Sequence, residues 1–199
     1  MHRFILSLTL ICAAVLAVAA QETELKMPAE VAAFVEKDTK AIALESADLN
    51  GDGIKDFVLV LEDLKESDEA ERGRRSLLIL TGGANNKLTL AKRNDKGVVF
   101  CRTCGGIFGD PFASIEAGLK AFTVNMYGGS NWRWSYSYKF NYSRIDKTWQ
   151  LVRVEESSFH TSDPEKIKTV VHTPPKNFGK IDIADFDPEN YLKKTAAKK

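Results

Sequence analysis

Short runs of apolar residues recur along most of the chain, separated by turn-forming or charged segments, and they predict β-strands. The first half contains such runs at 41–44, 57–61, 77–80 and 87–90. The runs at 57–61 and 77–80 are apolar at consecutive positions, which is typical of central strands buried on both faces. The second half repeats the pattern at 98–101, 112–116, 120–127, 132–143 and 149–155.

The connections between these runs are mostly short, which predicts antiparallel pairing because parallel strands need long crossovers. The expected fold is mainly β, an antiparallel sandwich or rolled sheet with one short N-terminal helix at 28–36. Pro28 suits the first turn of that helix. A partial propeller-like sheet is the alternative. The charged segment 62–75 is predicted to be an exposed loop because it mixes both signs of charge.

One strand carries aromatic side chains at every second position. Successive side chains of a strand point to opposite faces, so these residues share one face: Trp132, Trp134, Tyr136, Tyr138, Phe140 and Tyr142. The first interpretation is a core-facing strand. The alternative is a stacking platform for a glycan or peptide, because a strand of about 35 Å can outrun a small core at its Trp132 end. The candidate ligand-binding residues are Trp132, Arg133 and Trp134.

The first 20 residues have the organisation of a secretory signal peptide. Arg3 supplies the positive charge, 4–18 is almost continuously apolar, and small residues precede a cleavage point before Gln21. The sequence therefore predicts a periplasmic or extracellular protein with no membrane anchor after cleavage. It divides into a signal peptide at 1–20, a single β-rich domain at 21–192 and a disordered basic tail at 193–199.

The charge balance argues against one class of partner. The chain has 28 basic and 27 acidic residues, and loss of Arg3 with the signal peptide leaves 27 of each. Binding to nucleic acid phosphates needs a basic surface, so no nucleic acid partner is expected.

Two cysteines, Cys101 and Cys104, follow the signal peptide. In an oxidising compartment they are predicted to form a structural disulfide. A redox pair is the first alternative, although a strand-like segment precedes Cys101 and no helix follows to lower a thiol pKa. A zinc site would need two more ligands, for which His160 and His172 are the candidates.

The segment with the most specific chemistry is Asp48-Leu-Asn-Gly-Asp-Gly-Ile-Lys-Asp56. Oxygen-bearing side chains occupy relative positions 1, 3, 5 and 9, and the Ile54 carbonyl is available at position 7. Calcium prefers six to eight oxygen ligands, and this spacing brings several of them around one point. An EF-hand would have a glutamate at position 12, where this chain has Leu59. A polar turn without metal is the alternative.

This segment resembles the calcium loops of FG-GAP and VCBS-type repeats, in which D-x-[DN]-x-D-G-x-x-D joins two strands. The resemblance implies side-chain ligands at Asp48, Asn50, Asp52 and Asp56, with Ile54 as a backbone ligand. Such repeats normally recur to build a propeller, whereas this chain contains one copy. The runs at 101–112 and 128–134 also resemble a pattern in exported bacterial proteins of unassigned activity.

The sequence therefore predicts an exported, non-enzymatic protein with calcium as a structural cofactor. The alternative is a binding module or inhibitor that recognises an envelope glycan or protein through its aromatic strand end. An enzyme ranks third, because Ser130 lacks a G-x-S-x-G frame and His160 near Asp163 has no further catalytic pattern.

Overall fold

A computed structural model describes residues 25–65 and 74–191 and contains two antiparallel β-sheets. A helix, α1, spans Ala29–Ala32. The first sheet has the order β1 (Thr39–Ala47), β2 (Asp56–Asp63), β3 (Arg75–Gly82) and β4 (Leu88–Asn94). The second has the order β5 (Phe112–Gly118), β6 (Ala121–Gly129), β7 (Trp132–Ser143), β8 (Thr148–His160) and β9 (Lys168–His172). Two 3₁₀ turns lie at Ala84–Asn86 and Ile183–Asp185.

The main core lies between the inner faces of the two sheets. Both sheets contribute fully buried side chains to it, including Val58, Val60, Leu77 and Ile79 from the first and Phe122, Val124, Tyr138, Phe140 and Leu151 from the second. The predicted antiparallel sandwich is therefore confirmed, and the propeller-like alternative is not the observed architecture.

Helix α1 explains why β2 and β3 are apolar on both faces. Val31 of this helix packs on the outer face of the first sheet, against Leu59, Leu61, Leu78 and Leu80. The helix confirms the predicted N-terminal element but ends at Ala32, four residues before the predicted end. The predicted signal peptide and basic tail lie outside the described residues. No helix within the described residues has the length and apolar character needed to cross a membrane.

One predicted strand is absent from the structure, and one observed strand was not predicted. The segment 98–101 is irregular rather than a strand, although Val98 and Val99 are fully buried in the core between the sheets. Gly97 has φ +84°, a left-handed conformation that turns the chain immediately before them. Strand β9 has no counterpart in the prediction.

The segment 62–75 also differs from the expected exposed loop. Strands β2 and β3 extend into its two ends, so that Glu62 pairs with Arg75 in the sheet register. Both side chains are buried, with 1% and 2% of their surface exposed. The two charges are paired within the protein, because the Arg75 guanidinium donates to the Glu62 carboxylate.

The aromatic strand, β7, confirms the predicted face. Tyr138 and Phe140 are fully buried, and Trp134, Tyr136 and Tyr142 pack against the same core. Trp132 continues the face beyond the core and is 60% exposed.

Candidate cation-binding loop and aromatic strand end

The 48–56 segment connects β1 to β2 where the two sheets meet. The backbone N–H of Lys120, in the β5–β6 turn, donates to the Asp48 carbonyl at 2.9 Å. The indole Nε1–H of Trp149, on β8, donates to the Leu49 carbonyl at 2.8 Å. Leu49 itself is fully buried in the main core. The conformation of this loop is therefore coupled to the packing of the second sheet.

The Asp48 carboxylate organises the first half of the loop. Its Oδ1 accepts the N–H groups of Gly51 and Asp52 at 2.6 and 3.1 Å, and its Oδ2 accepts that of Gly53 at 2.9 Å. Desolvation raises the pKa of Asp48, but the backbone donors outweigh it, so the pKa lies below its usual value. The carboxylate is therefore held ionised and in a fixed position.

Asn50 and Asp52 extend the same network. The Asp52 N–H donates to Asn50 Oδ1 at 2.8 Å, and the Asn50 amide donates to Asp52 Oδ2 at 2.9 Å. Asp52 Oδ1 accepts the Ile54 N–H at 2.8 Å. The side chains at positions 1, 3 and 5 are thus brought together on the exposed side of the loop, as the spacing predicts.

Asp56 faces away from this exposed side. Its carboxylate is fully buried, and it accepts the N–H of Leu49 at 2.8 Å and that of Gly82 at 2.9 Å. Burial raises the pKa of Asp56, and the nearby charge of Asp52 acts in the same direction. Asp56 therefore ties the loop to the end of β3, and its role as a calcium ligand stays a prediction.

Two glycines give the loop its shape. Gly51 and Gly53 have φ +84° and +83°, in the left-handed region that side chains disfavour. At Gly51 the absence of a side chain also makes room for Lys120, whose Cε would lie 1.8 Å from an added Cβ. An added Cβ at Gly53 meets nothing within 4 Å, so only the backbone conformation requires glycine there.

The exposed carboxylates of the loop are not fully used by its own hydrogen bonds. An ionised carboxylate has about four acceptor positions. Asp48 uses three for its hydrogen bonds and Asp52 uses two, so both keep acceptor capacity. Among residues 25–65 and 74–191, however, no three Asp, Glu, His or Cys side chains form a group able to hold a metal. A cation here would depend on Asn50, the Ile54 carbonyl and water as well as on these carboxylates.

A disulfide joins Cys101 and Cys104, with Cα atoms 5.2 Å apart. The cysteine pair predicted from the sequence is thus bonded within a turn, in which the Cys104 N–H donates to the Cys101 carbonyl at 3.0 Å. No helix begins directly after Cys104, because residues 105–111 form turns and one isolated bridge. The proposed zinc ligands have other contacts, because His160 lies against the Trp132 ring and His172 against the Tyr191 ring.

The three residues predicted to bind a ligand at the start of β7 lie in different surroundings. Trp132 is exposed and contacts the His160 ring at 5.1 Å. Trp134 packs inward on Phe100, with ring centroids 5.8 Å apart. Arg133 lies on the opposite face, with its guanidinium 4.2 Å from the centre of the Phe108 ring. The three therefore do not converge on one ligand.

A groove that was not predicted from the sequence lies on the outer face of the second sheet, beside Arg133. The groove has a volume of about 330 Å³ and is lined by Tyr127, Trp134, Ser135, Ser157, Phe159, Ile167 and Thr169. One signal was available: Tyr127 has the opposite parity to the buried residues Phe122, Val124 and Met126. That alternation predicts an aromatic ring on the outer face of β6.

No protein-family model, curated protein or solved structure matches this chain.

Proposed function

We propose that this chain is an exported, non-enzymatic protein in which the 48–56 loop holds a calcium ion with a structural role. The observation that carries the proposal is the position of the loop between the sheets. Its backbone contacts Lys120 and Trp149, and Asp56 fastens it to Gly82. A cation that orders the loop would therefore stabilise the junction of the sandwich.

Export is supported by two independent features. The first 20 residues have the charge and hydropathy pattern of a signal peptide, and the disulfide suits an oxidising compartment. Fractionation of the producing cells, with mass measurement of the purified protein, tests this part. We expect a mature N-terminus at Gln21 in the exported fraction. Full-length protein in the cytoplasmic fraction would contradict it.

Calorimetric titration with calcium, read beside thermal melting curves, tests the metal. We expect one site with a dissociation constant of about 10⁻⁴ to 10⁻³ M, the range of extracellular calcium modules. Calcium should raise the melting temperature, because an ion that binds only to the folded state stabilises that state. Magnesium should raise it less, since its small octahedral shell fits a flexible oxygen loop poorly. No heat and no shift at millimolar calcium would refute the proposal.

A second function, a binding module for an envelope glycan or protein, is favoured by the exposure of the Trp132 end. Tryptophan is enriched among the residues that contribute most to binding at protein interfaces. The test is retention of the mature protein on immobilised envelope extract. Trp132→Ala should weaken retention, whereas Ile145→Ala, at an apolar side chain that is 91% exposed in the β7–β8 turn, should not. Equal retention of both variants and the wild type would exclude Trp132 from binding.

A further inference from the structure

The outer face of the second sheet carries a line of hydroxyl groups that crosses four strands. Pairing places Tyr127 beside Ser135, Ser135 beside Ser157, and Ser157 beside Thr169. Ser157 and Thr169 already share a hydrogen bond of 2.8 Å, while the Ser135 hydroxyl has no hydrogen-bond partner among the described residues. Each hydroxyl both donates and accepts, so this line presents an array suited to a ligand with many hydroxyls.

Aromatic and apolar side chains flank the hydroxyl line. In the next row Arg133 pairs with Phe159, and Phe108 packs on Tyr127 with ring centroids 5.5 Å apart. Phe108, Tyr127 and Ile167 are exposed, at 48%, 39% and 59%. The small serine side chains form the floor between these larger groups. Such surroundings suit a flat ligand that has apolar faces and polar edges.

Arg133 pairs with Phe159, which lines the groove, and brings a positive charge to that end of it. Among the described residues its guanidinium makes one hydrogen bond, of 3.4 Å to the Gly129 carbonyl, and no salt bridge. On the same face of the sheet, Glu155 lies two rows away from Arg133 and pairs with Arg153 at 2.5 Å. Most guanidinium donors of Arg133 therefore stay available, in a planar arrangement that matches a carboxylate.

We infer that this groove binds an acidic saccharide, whose ring packs on the aromatic side chains, whose hydroxyls meet the serine line and whose carboxylate pairs with Arg133. β7 and β8 are paired on both sides, so an extended peptide could add only at an edge of the sheet, such as that of β9, two strands away from Arg133. The groove lies on the opposite face of β7 from Trp132, so the inference goes beyond the surface proposed for the second function and shares with it only the premise of a binding module. It does not depend on calcium.

The test uses three matched probes: short oligogalacturonates, the same oligomers with methyl-esterified carboxylates, and oligoglutamate. Binding of each to the mature protein is measured by calorimetry. We expect the oligogalacturonate to bind at least about tenfold more tightly than its ester or oligoglutamate, because a charge-assisted hydrogen bond is lost or the ring is absent.

Variants of the protein distinguish binding in the groove from a general effect of positive charge on affinity. Arg133→Gln should weaken oligogalacturonate binding about tenfold or more, and Tyr127→Ala should weaken both oligomers. Arg153→Gln removes one positive charge from the same sheet face and should change affinity less than twofold. Melting curves of all three variants confirm that they fold.

Each other outcome overturns the inference in a recognisable way. Equal binding of the acid and its ester would remove the role of the carboxylate, and equal binding of oligoglutamate would favour a peptide ligand. Binding of no probe, with retention on envelope extract intact, would refute the saccharide and leave the binding role standing. Loss of probe binding together with loss of retention would refute both the saccharide ligand and the binding role.

Discussion

The guanidinium of Arg75 and the carboxylate of Asp110 form two parallel hydrogen bonds, of 2.7 Å from Nη1 to Oδ1 and 2.6 Å from Nη2 to Oδ2. Arg75 also donates to Glu62 through Nε and Nη2, and to the Phe100 carbonyl through Nη1. These contacts account for the five N–H donors of an arginine. They join the first sheet to the segment that leads into β5.

Removal of Arg75 should be strongly destabilising. Among the described residues, Arg75→Met leaves the buried Glu62 carboxylate with Lys40 at 3.5 Å and Arg102 at 3.9 Å as its cationic neighbours. Breaking a buried ion pair in this way costs about 3–5 kcal/mol of unfolding free energy. Urea denaturation measures the loss. The exposed pair of Arg153 and Glu155 provides the control, because Arg153→Gln should cost at most about 1 kcal/mol. Equal, small costs for both variants would show that the buried network contributes little.

Asp110 should make stability depend on acid pH. Desolvation raises its pKa, but the hydrogen bonds and charge of Arg75 outweigh it, so the folded-state pKa lies below the usual value. A depressed folded pKa stabilises the protein above the unfolded pKa of about 3.9, and that contribution is lost as pH falls through the folded value. The gap in stability between wild type and Asp110→Asn should therefore be large at pH 7 and narrow in acid. A gap that does not change with pH would rule out this linkage.

The Arg75 network also marks the limit of prediction from sequence. Its partners Glu62 and Asp110 are 13 and 35 residues away, and charged side chains in a mixed-charge segment normally face water. Nothing local distinguishes Arg75 from its neighbour Arg74. The core strands were predictable because periodicity is local: β7 occupies the predicted range, and β2 and β3 follow the apolar runs.

The difference between local and long-range signals also applies to the 48–56 loop and to the wrong strand prediction at 98–101. The spacing of Asp48, Asn50 and Asp52 is local, and their contacts follow it. The inward turn of Asp56 depends on Gly82, which lies 26 residues away. Val98 and Val99 have strand-like composition but fill the core between the sheets after a left-handed glycine. The apolar composition of this segment therefore indicates that it is buried, but it does not determine the backbone conformation.

In the 48–56 loop, substitution of a single ligand should separate calcium binding from general stability. Asp52→Ala removes an exposed carboxylate and should abolish the calcium-dependent rise in melting temperature. Lys55→Ala, in the same loop, should leave that rise intact because an ammonium is not a metal ligand. Melting curves with calcium and with chelator measure both. An unchanged calcium response in Asp52→Ala would place the ion elsewhere.

The disulfide should contribute modestly to stability. It closes a loop with a sequence separation of 3, and the chain-entropy model gives about 2 kcal/mol for so short a loop. Replacing both Cys101 and Cys104 with serine should lower the unfolding free energy by about that amount or less. A reductant should lower the stability of the wild type but not of the double variant. Two free thiols in freshly isolated exported protein would contradict the predicted bridge.

The protein should be at least as stable without the Tyr138 hydroxyl group as with it. The ring is fully buried, and its Oη has no hydrogen-bond partner among the described residues. An unsatisfied buried hydroxyl costs about 1–3 kcal/mol. Tyr138→Phe keeps the ring and its contact with Phe186 at 5.0 Å, so it should leave stability unchanged or raise it.

Truncation of Tyr138 to alanine tests the contribution of the ring, in contrast to that of the hydroxyl group. Tyr138→Ala removes the ring as well and should cost about 3–5 kcal/mol, as large-to-small core substitutions do. Ser135→Ala, on the opposite face of β7, should change stability by at most about 0.5 kcal/mol. Chemical denaturation of the three variants distinguishes ring packing from the hydroxyl. A loss above about 1 kcal/mol in Tyr138→Phe would mean that the hydroxyl has a partner, and a buried water bridging Tyr138 to the rest of the core would then be the group to locate.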